Sequence, residues 1–181
     1  MKKKILTHLL LFIITSPSLA QEIIKKGAHE QQLIEFGYTK KTASKFNRNG
    51  DDIIPLKATK TKSLLKKIVG FLPYWEYTNN AHDNIHYDLL THIAVFDFTT
   101  SSTGTLTVPS AWPWTDVINA AHTEGTKVIM TVTNFTASDI HTILTNSTSK
   151  NNLFNNIKNM IANYQLDGVN IDFESINTSD R

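Results

Sequence analysis

Residues 166–177 read LDGVNIDFESIN, and the alternation inside this stretch decides how the rest of the chain is read. Side chains in a β-strand alternate between faces, so Asn170, Asp172 and Glu174 share one side while Val169, Ile171 and Phe173 share the other. The apolar set is expected to pack beneath helices. The polar set then faces the opposite side of a sheet or the interior of a barrel, where two carboxyls and an amide cost several kcal/mol unless each is hydrogen-bonded.

Three earlier apolar runs match this strand in length and character: KIVGFLPYW at 67–75, THIAVFDFTT at 91–100 and TKVIMTVTNF at 126–135. Amphipathic segments separate them. Trp114, Val117, Ile118 and Ala121 recur at helical spacing, with Pro113 in the first turn and Gly125 as a stop. Leu153, Ile157, Met160, Ile161 and Tyr164 repeat that spacing, with Ser147 and Thr148 suited to capping, and a shorter helix is expected over 138–144. Strands alternating with helices predict an α/β fold with a parallel sheet, and runs apolar on both faces fit strands covered on both sides. Four strands in this order make either half of an eight-stranded (β/α) barrel or a small open sheet.

The N-terminal third has a different texture. Lys2, Lys3 and Lys4 precede an apolar run from Ile5 to Ile14 and a Ser18-Leu19-Ala20 site, the pattern of a secretory signal over residues 1–20, and this run is too short to span a bilayer. The formal charge is +2, and subtracting the three signal lysines (2 − 3) leaves −1. A nucleic-acid partner therefore loses its electrostatic support. The chain has no cysteine, which excludes disulfides, thiolate metal sites and a cysteine nucleophile. Residues 21–66 are polar and Lys-rich and are expected to be a leader or linker, in which HEQQLIEFGY has the composition of one short helix. The expected destination is outside the cytoplasm, extracellular or periplasmic, with no membrane attachment after cleavage.

Neighbouring carboxyls on one strand face raise each other's affinity for a proton, which keeps one of them available as an acid near neutral pH. Glu174 stands at the C-terminal end of its strand, where barrel active sites open, and is the candidate proton donor.

The stretch Asp167-x-x-Asn170-x-Asp172-x-Glu174 resembles the signature of family 18 glycoside hydrolases, Asp-x-x-Asp-x-Asp-x-Glu on the fourth strand of a (β/α)8 TIM barrel. GFLPYW resembles that family's first strand and LLTHIAVFDF its second. TVTNF, with NIDFE, resembles the branch holding spore-cortex and peptidoglycan N-acetylglucosaminidases. The resemblance covers residues 67–181, about the first four β/α units, whereas a whole barrel takes about 250 residues; the expectation is the N-terminal half of a truncated catalytic domain.

The resemblance implies cleavage of β-1,4 bonds beside N-acetylglucosamine in chitin or peptidoglycan, with net retention, no metal and no cofactor. Glu174 would protonate the glycosidic oxygen. Asp172 would orient the substrate's N-acetyl carbonyl for attack on the anomeric carbon, a substrate-assisted exception to the two-carboxylate scheme. Asn170 stands where most members carry Asp, and an amide cannot share a proton as a second carboxyl would. Asp167, of opposite parity, is expected to be a structural hydrogen-bonder. The rival reading is a non-catalytic carbohydrate-binding protein on the same barrel, against which the retained Glu174 argues. The partner in either case is an N-acetylglucosamine polysaccharide, and no protein partner is implied.

Other candidates rest on position. Tyr74 and Trp75 end the first strand, where aromatics can stack on sugar rings. Phe98 and Thr99 end the second, and Asn134 and Phe135 the third, as pocket-lining candidates. Trp114 belongs to a helix stripe and is expected in the core. His82 and His86 lack a third ligand at zinc spacing, and His92 is expected to make a structural hydrogen bond.

Overall fold

The computed structural model describes residues 26–37, 53–56 and 66–181. The expected signal segment 1–20 and most of the leader lie outside the described residues. Among the described residues no helix is long and apolar enough to cross a membrane.

A short helix α1 (Ala28–Gln32) runs into a π-helical turn at Leu33–Gly37. Strand β1 (Val69–Pro73) is followed by the one-turn helix α2 (Tyr74–Tyr77), then β2 (His92–Thr100) and the two-residue β3 (Leu106–Thr107). Next come α3 (Thr115–Thr123), β4 (Lys127–Asn134), α4 (Ala137–Thr145), α5 (Ser147–Tyr164) and β5 (Gly168–Phe173). The sheet order is β1-β2-β4-β5, all parallel, with β3 antiparallel on β2. Helical crossovers between neighbouring parallel strands are the βαβ arrangement the sequence periodicity predicts. The sheet is not closed: β1 and β5 are its two edges.

The core lies between one face of the sheet and the helices. Val95, Phe98, Val128 and Val132 from the strands meet Val117, Ile118, Leu153 and Ile157 from α3 and α5. Trp114 sits there too, stacked on Tyr77 at 4.2 Å with its indole N–H donating to the Ser110 carbonyl. Gly125 leaves α3 at φ 72°, a left-handed stop that glycine takes without strain. At α5 the expectation needs correction. Asn146 is the cap, its side-chain oxygen accepting from the Ser149 N–H, and Ser147 is already helical. Asn ranks with Ser as a cap, and the residue whose oxygen reaches the third N–H wins the position.

A second correction concerns the outward face of β5. Val169 and Ile171 are 38% and 49% exposed instead of packed beneath a helix. A strand at the edge of an open sheet lacks a neighbour on its outer side, so its flank there goes uncovered.

Candidate active site

The C-terminal ends of β1, β2, β4 and β5 open on the same side, and register determines what gathers there. Thr133 of β4 pairs with Asp172 of β5, and Thr131 with Asn170. The face opposite the helices is therefore polar: buried Thr131 and Thr133, then half-buried Asn170 and Asp172. Glu174 follows immediately, held in place as its N–H donates to the Asn134 carbonyl at 3.1 Å. The alternation in the sequence thus brings Asn170, Asp172 and Glu174 together as expected.

Over this face lies the α1 segment. His29 Nδ1 sits 2.7 Å from Asp172 Oδ2, and the His29 and Glu30 backbone N–H groups donate to the two Glu174 oxygens at 3.3 and 3.0 Å. The imidazole rests on the Phe71 and Phe96 rings, with centroids at 5.0 and 5.2 Å. Ser175 donates to Glu30 at 3.3 Å, closing the contact from the other side. Gly27 passes so close that a Cβ there would overlap the Glu174 carboxyl. Donor atoms of His29, Asp172 and Glu174 lie within 4.8 Å of one another, yet these contacts spend them on each other and on backbone N–H groups.

Residues proposed from position alone scatter. Tyr74 faces a cleft shared with Asp97, Thr99 and, from the leader, Leu33. Trp75 is buried edge-on against Tyr74 and Phe96, so it supports the cleft from behind. Phe98 and Asn134 correct the expectation that strand-end position is enough. Phe98 pairs with Val132 on the helix side and packs against Trp112 at 4.9 Å. Asn134 is buried, its amide donating to Thr100 at 2.6 Å and its oxygen accepting the Thr136 N–H at 2.8 Å. Both have the parity of the core face. Asp167 is a structural hydrogen-bonder: it accepts from Val128 N–H at 2.7 Å and pairs with buried His122 at 3.0 Å. His92 contacts the Thr91 hydroxyl at 2.9 Å.

One residue of this face was not anticipated. Asp97 is only 5% exposed and accepts from the Thr99 and Thr133 hydroxyls. Burial, followed by the nearby Asp172 charge, pushes its carboxyl above the usual range against the pull of those hydroxyls. The signal was present in IAVFDF, where an acid interrupts an apolar run just as Asp172 interrupts β5.

The family model for Glycosyl hydrolases family 18 matches residues 67–181. The chain belongs to this family. Among solved structures, it is similar to a chitinase from Bacteroides thetaiotaomicron, at 25% identity and a TM-score of 0.58, over 65% of this chain and 38% of that one. It is also similar to the Bacillus cereus spore cortex-lytic enzyme SleL, at 27% identity and 0.56, over 64% and 29%. A chitinase from Rhizomucor miehei, at 24% identity and 0.52 over 60% and 34%, shares the fold. A comparison with curated proteins finds no match. This family 18 chain therefore spans about a third of the length of the structures it resembles, and its open sheet, with four parallel strands, corresponds to part of their TIM barrels.

Proposed function

We propose that this family 18 chain carries the acid and the orienting carboxylate of a glycosidase that cleaves β-1,4 bonds next to N-acetylglucosamine, in chitin or peptidoglycan. The observation that carries the reading is the placement of Asp172 and Glu174 on one face at the C-terminal mouth of the sheet, two residues apart, with the family signature around them. Glu174 gives its proton to the departing glycosidic oxygen. Asp172 accepts a hydrogen bond from the N-acetyl N–H and turns the acetyl oxygen toward the anomeric carbon. The substrate supplies its own nucleophile, the intermediate is an oxazolinium ion, and water opens it with net retention. Tyr74, on the cleft wall, is the candidate to stack on a sugar ring.

Two structural facts bear on activity. The leader residues His29 and Glu30 occupy the Asp172 and Glu174 oxygens that the proposed mechanism uses, so they must withdraw before substrate binds. The open edges at β1 and β5 leave the cleft walled on one side, and little turnover is expected from residues 1–181 alone. The deciding experiment is Glu174→Gln in the full-length protein, assayed with a fluorogenic N-acetylglucosamine oligomer. Hydrolysis should vanish while oligomer binding survives; an unchanged rate overturns the assignment, and binding without hydrolysis in the unaltered protein would favour the carbohydrate-binding alternative.

A further inference from the structure

Asn170 occupies the signature position at which a carboxyl would sit beside Asp172, and an amide carries no exchangeable proton of that kind. A different strand brings a carboxyl to the same face. Asp97 lies on β2, two residues before Thr99, and Thr99 pairs with Thr133, which pairs in turn with Asp172. Thr133 is thus the rung between the two acids, and its hydroxyl donates to Asp97 Oδ2. Thr131, the next rung down and opposite Asn170, is buried with its hydroxyl unpartnered among the described residues. The amide at 170 therefore leaves this layer without a carboxylate acceptor, while the layer above has two acids.

A purely structural role does not explain a carboxyl at position 97. An asparagine oxygen would accept from Thr99 and Thr133 equally well, without the cost of placing an ionisable group at 5% exposure. Resting on the glycosidase reading above, we propose that Asp97 is a positioning residue of the reaction: it holds a proton beside Asp172, so that the negative charge of the pair stays on Asp172 where the N-acetyl group is to be oriented. The other groups facing this pair are Glu174 on the same face and His29 of the leader, which contacts Asp172 directly; Tyr74 shares the Asp97 cleft. Burial and the Asp172 charge both favour the protonated form of Asp97. The proton count is simple: one proton resides on Asp97 and none on Asp172 when the sugar binds, and the acid step draws on Glu174, so Asp97 neither gains nor loses a proton over the cycle.

Carboxyl-carbon NMR titration of the 181-residue chain tests this without requiring turnover. The step that Asp172 senses from Asp97 in the unaltered chain should vanish in Asp97→Asn, while the steps from Glu174 and His29 remain. Reciprocally, the Asp97 midpoint should fall in Asp172→Asn, which keeps the test decisive where Asp97→Asn folds poorly. Titrations of each acid that ignore the other's removal overturn the proposal. In the oligomer assay, Asp97→Asn should move the alkaline limb of the pH–rate profile with KM nearly unchanged, and Asp97→Glu should restore it; a uniform loss with an unmoved profile signals a structural role and counts against the proposal. Absence of turnover in the unaltered full-length protein would instead defeat the glycosidase reading, with the NMR coupling still deciding the role of Asp97.

Discussion

The imidazole Nδ1 of His29 and the carboxylate Oδ2 of Asp172 stand 2.7 Å apart across 143 residues of chain. Together with the two backbone N–H groups on Glu174, this contact seats a leader segment on the mouth of the sheet. Hydrogen bonds to charged groups contribute about 1.5–3 kcal/mol each when shielded, and less when half-exposed as here. The double change Gly27→Val with His29→Ala introduces a Cβ against Glu174 and removes the imidazole. Trypsin cleavage after Lys26 should then accelerate by roughly tenfold or more, the factor that about 1.4 kcal/mol represents. An unchanged cleavage rate would show that the segment is not held by these contacts.

Asp172→Asn keeps the size of the side chain and its place beside Thr133, but removes the charge to which the proposed reading assigns the orienting of an N-acetyl group. In the full-length protein kcat should fall by roughly 10²–10⁴, the usual range for a positioned acid–base group, with a smaller change in oligomer binding. A fall in KM-dependent terms alone would place Asp172 in binding and not in the chemical step.

The His122–Asp167 pair ties α3 to the start of β5. Burial of the imidazole disfavours its charge, but the Asp167 carboxylate and the Ile54 carbonyl outweigh that and raise its pKa. A folded pKa above the unfolded value means that the stabilisation is complete below the unfolded pKa and is lost as pH rises through the raised value. Asp167→Ala should cost about 2 kcal/mol at pH 5.5, since it also strands the Val128 N–H, and measurably less at pH 9. Urea unfolding at the two pH values reads the difference; an equal cost at both would show that His122 is neutral in the fold throughout.

Gly104 sits in the turn after β2 at φ 79°, where a Cβ would strike the Ser149 carbonyl and lie 2.6 Å from Leu153 N. Its own carbonyl accepts from Asn156 of α5 at 2.8 Å. Gly104→Ala should therefore destabilise by about 1–3 kcal/mol through backbone strain and displaced helix packing. For a chain of this size each kcal/mol lowers the thermal midpoint by roughly 2–4 °C, so calorimetry resolves it. An unchanged midpoint would mean that the turn re-forms away from α5.

How much of the site could be read in advance followed from how local the signal was. Parity along one strand is local, so Asn170, Asp172 and Glu174 were legible as one face, and Asp167 as an outlier of opposite parity. Phe98 and Asn134 had the right strand ends and the wrong parity, and only pairing with Val132 and Phe173 puts them on the core side. Asp97 carried the same signature of an acid within an apolar run, but a shift in register between Val95 and Phe98 obscures which way a residue in that interval points.

Hydrophobic periodicity determined the order of the four parallel strands and of the helices α3, α4 and α5, because burial of apolar stripes obeys periods of two and 3.6 that are written into consecutive residues; the short α2 and β3 carry no such stripe. Spacing within β5 likewise determined which of its residues share the polar face. Contacts between distant segments were decided only by tertiary structure: the polar leader whose His29 meets Asp172, the Thr133 rung that couples Asp97 to β5, and the exposed Val169 and Ile171 at the open edge. Such contacts depend on register between strands and on the close approach of the Gly27 backbone to the Glu174 carboxyl, and neither quantity is encoded in any one stretch of sequence.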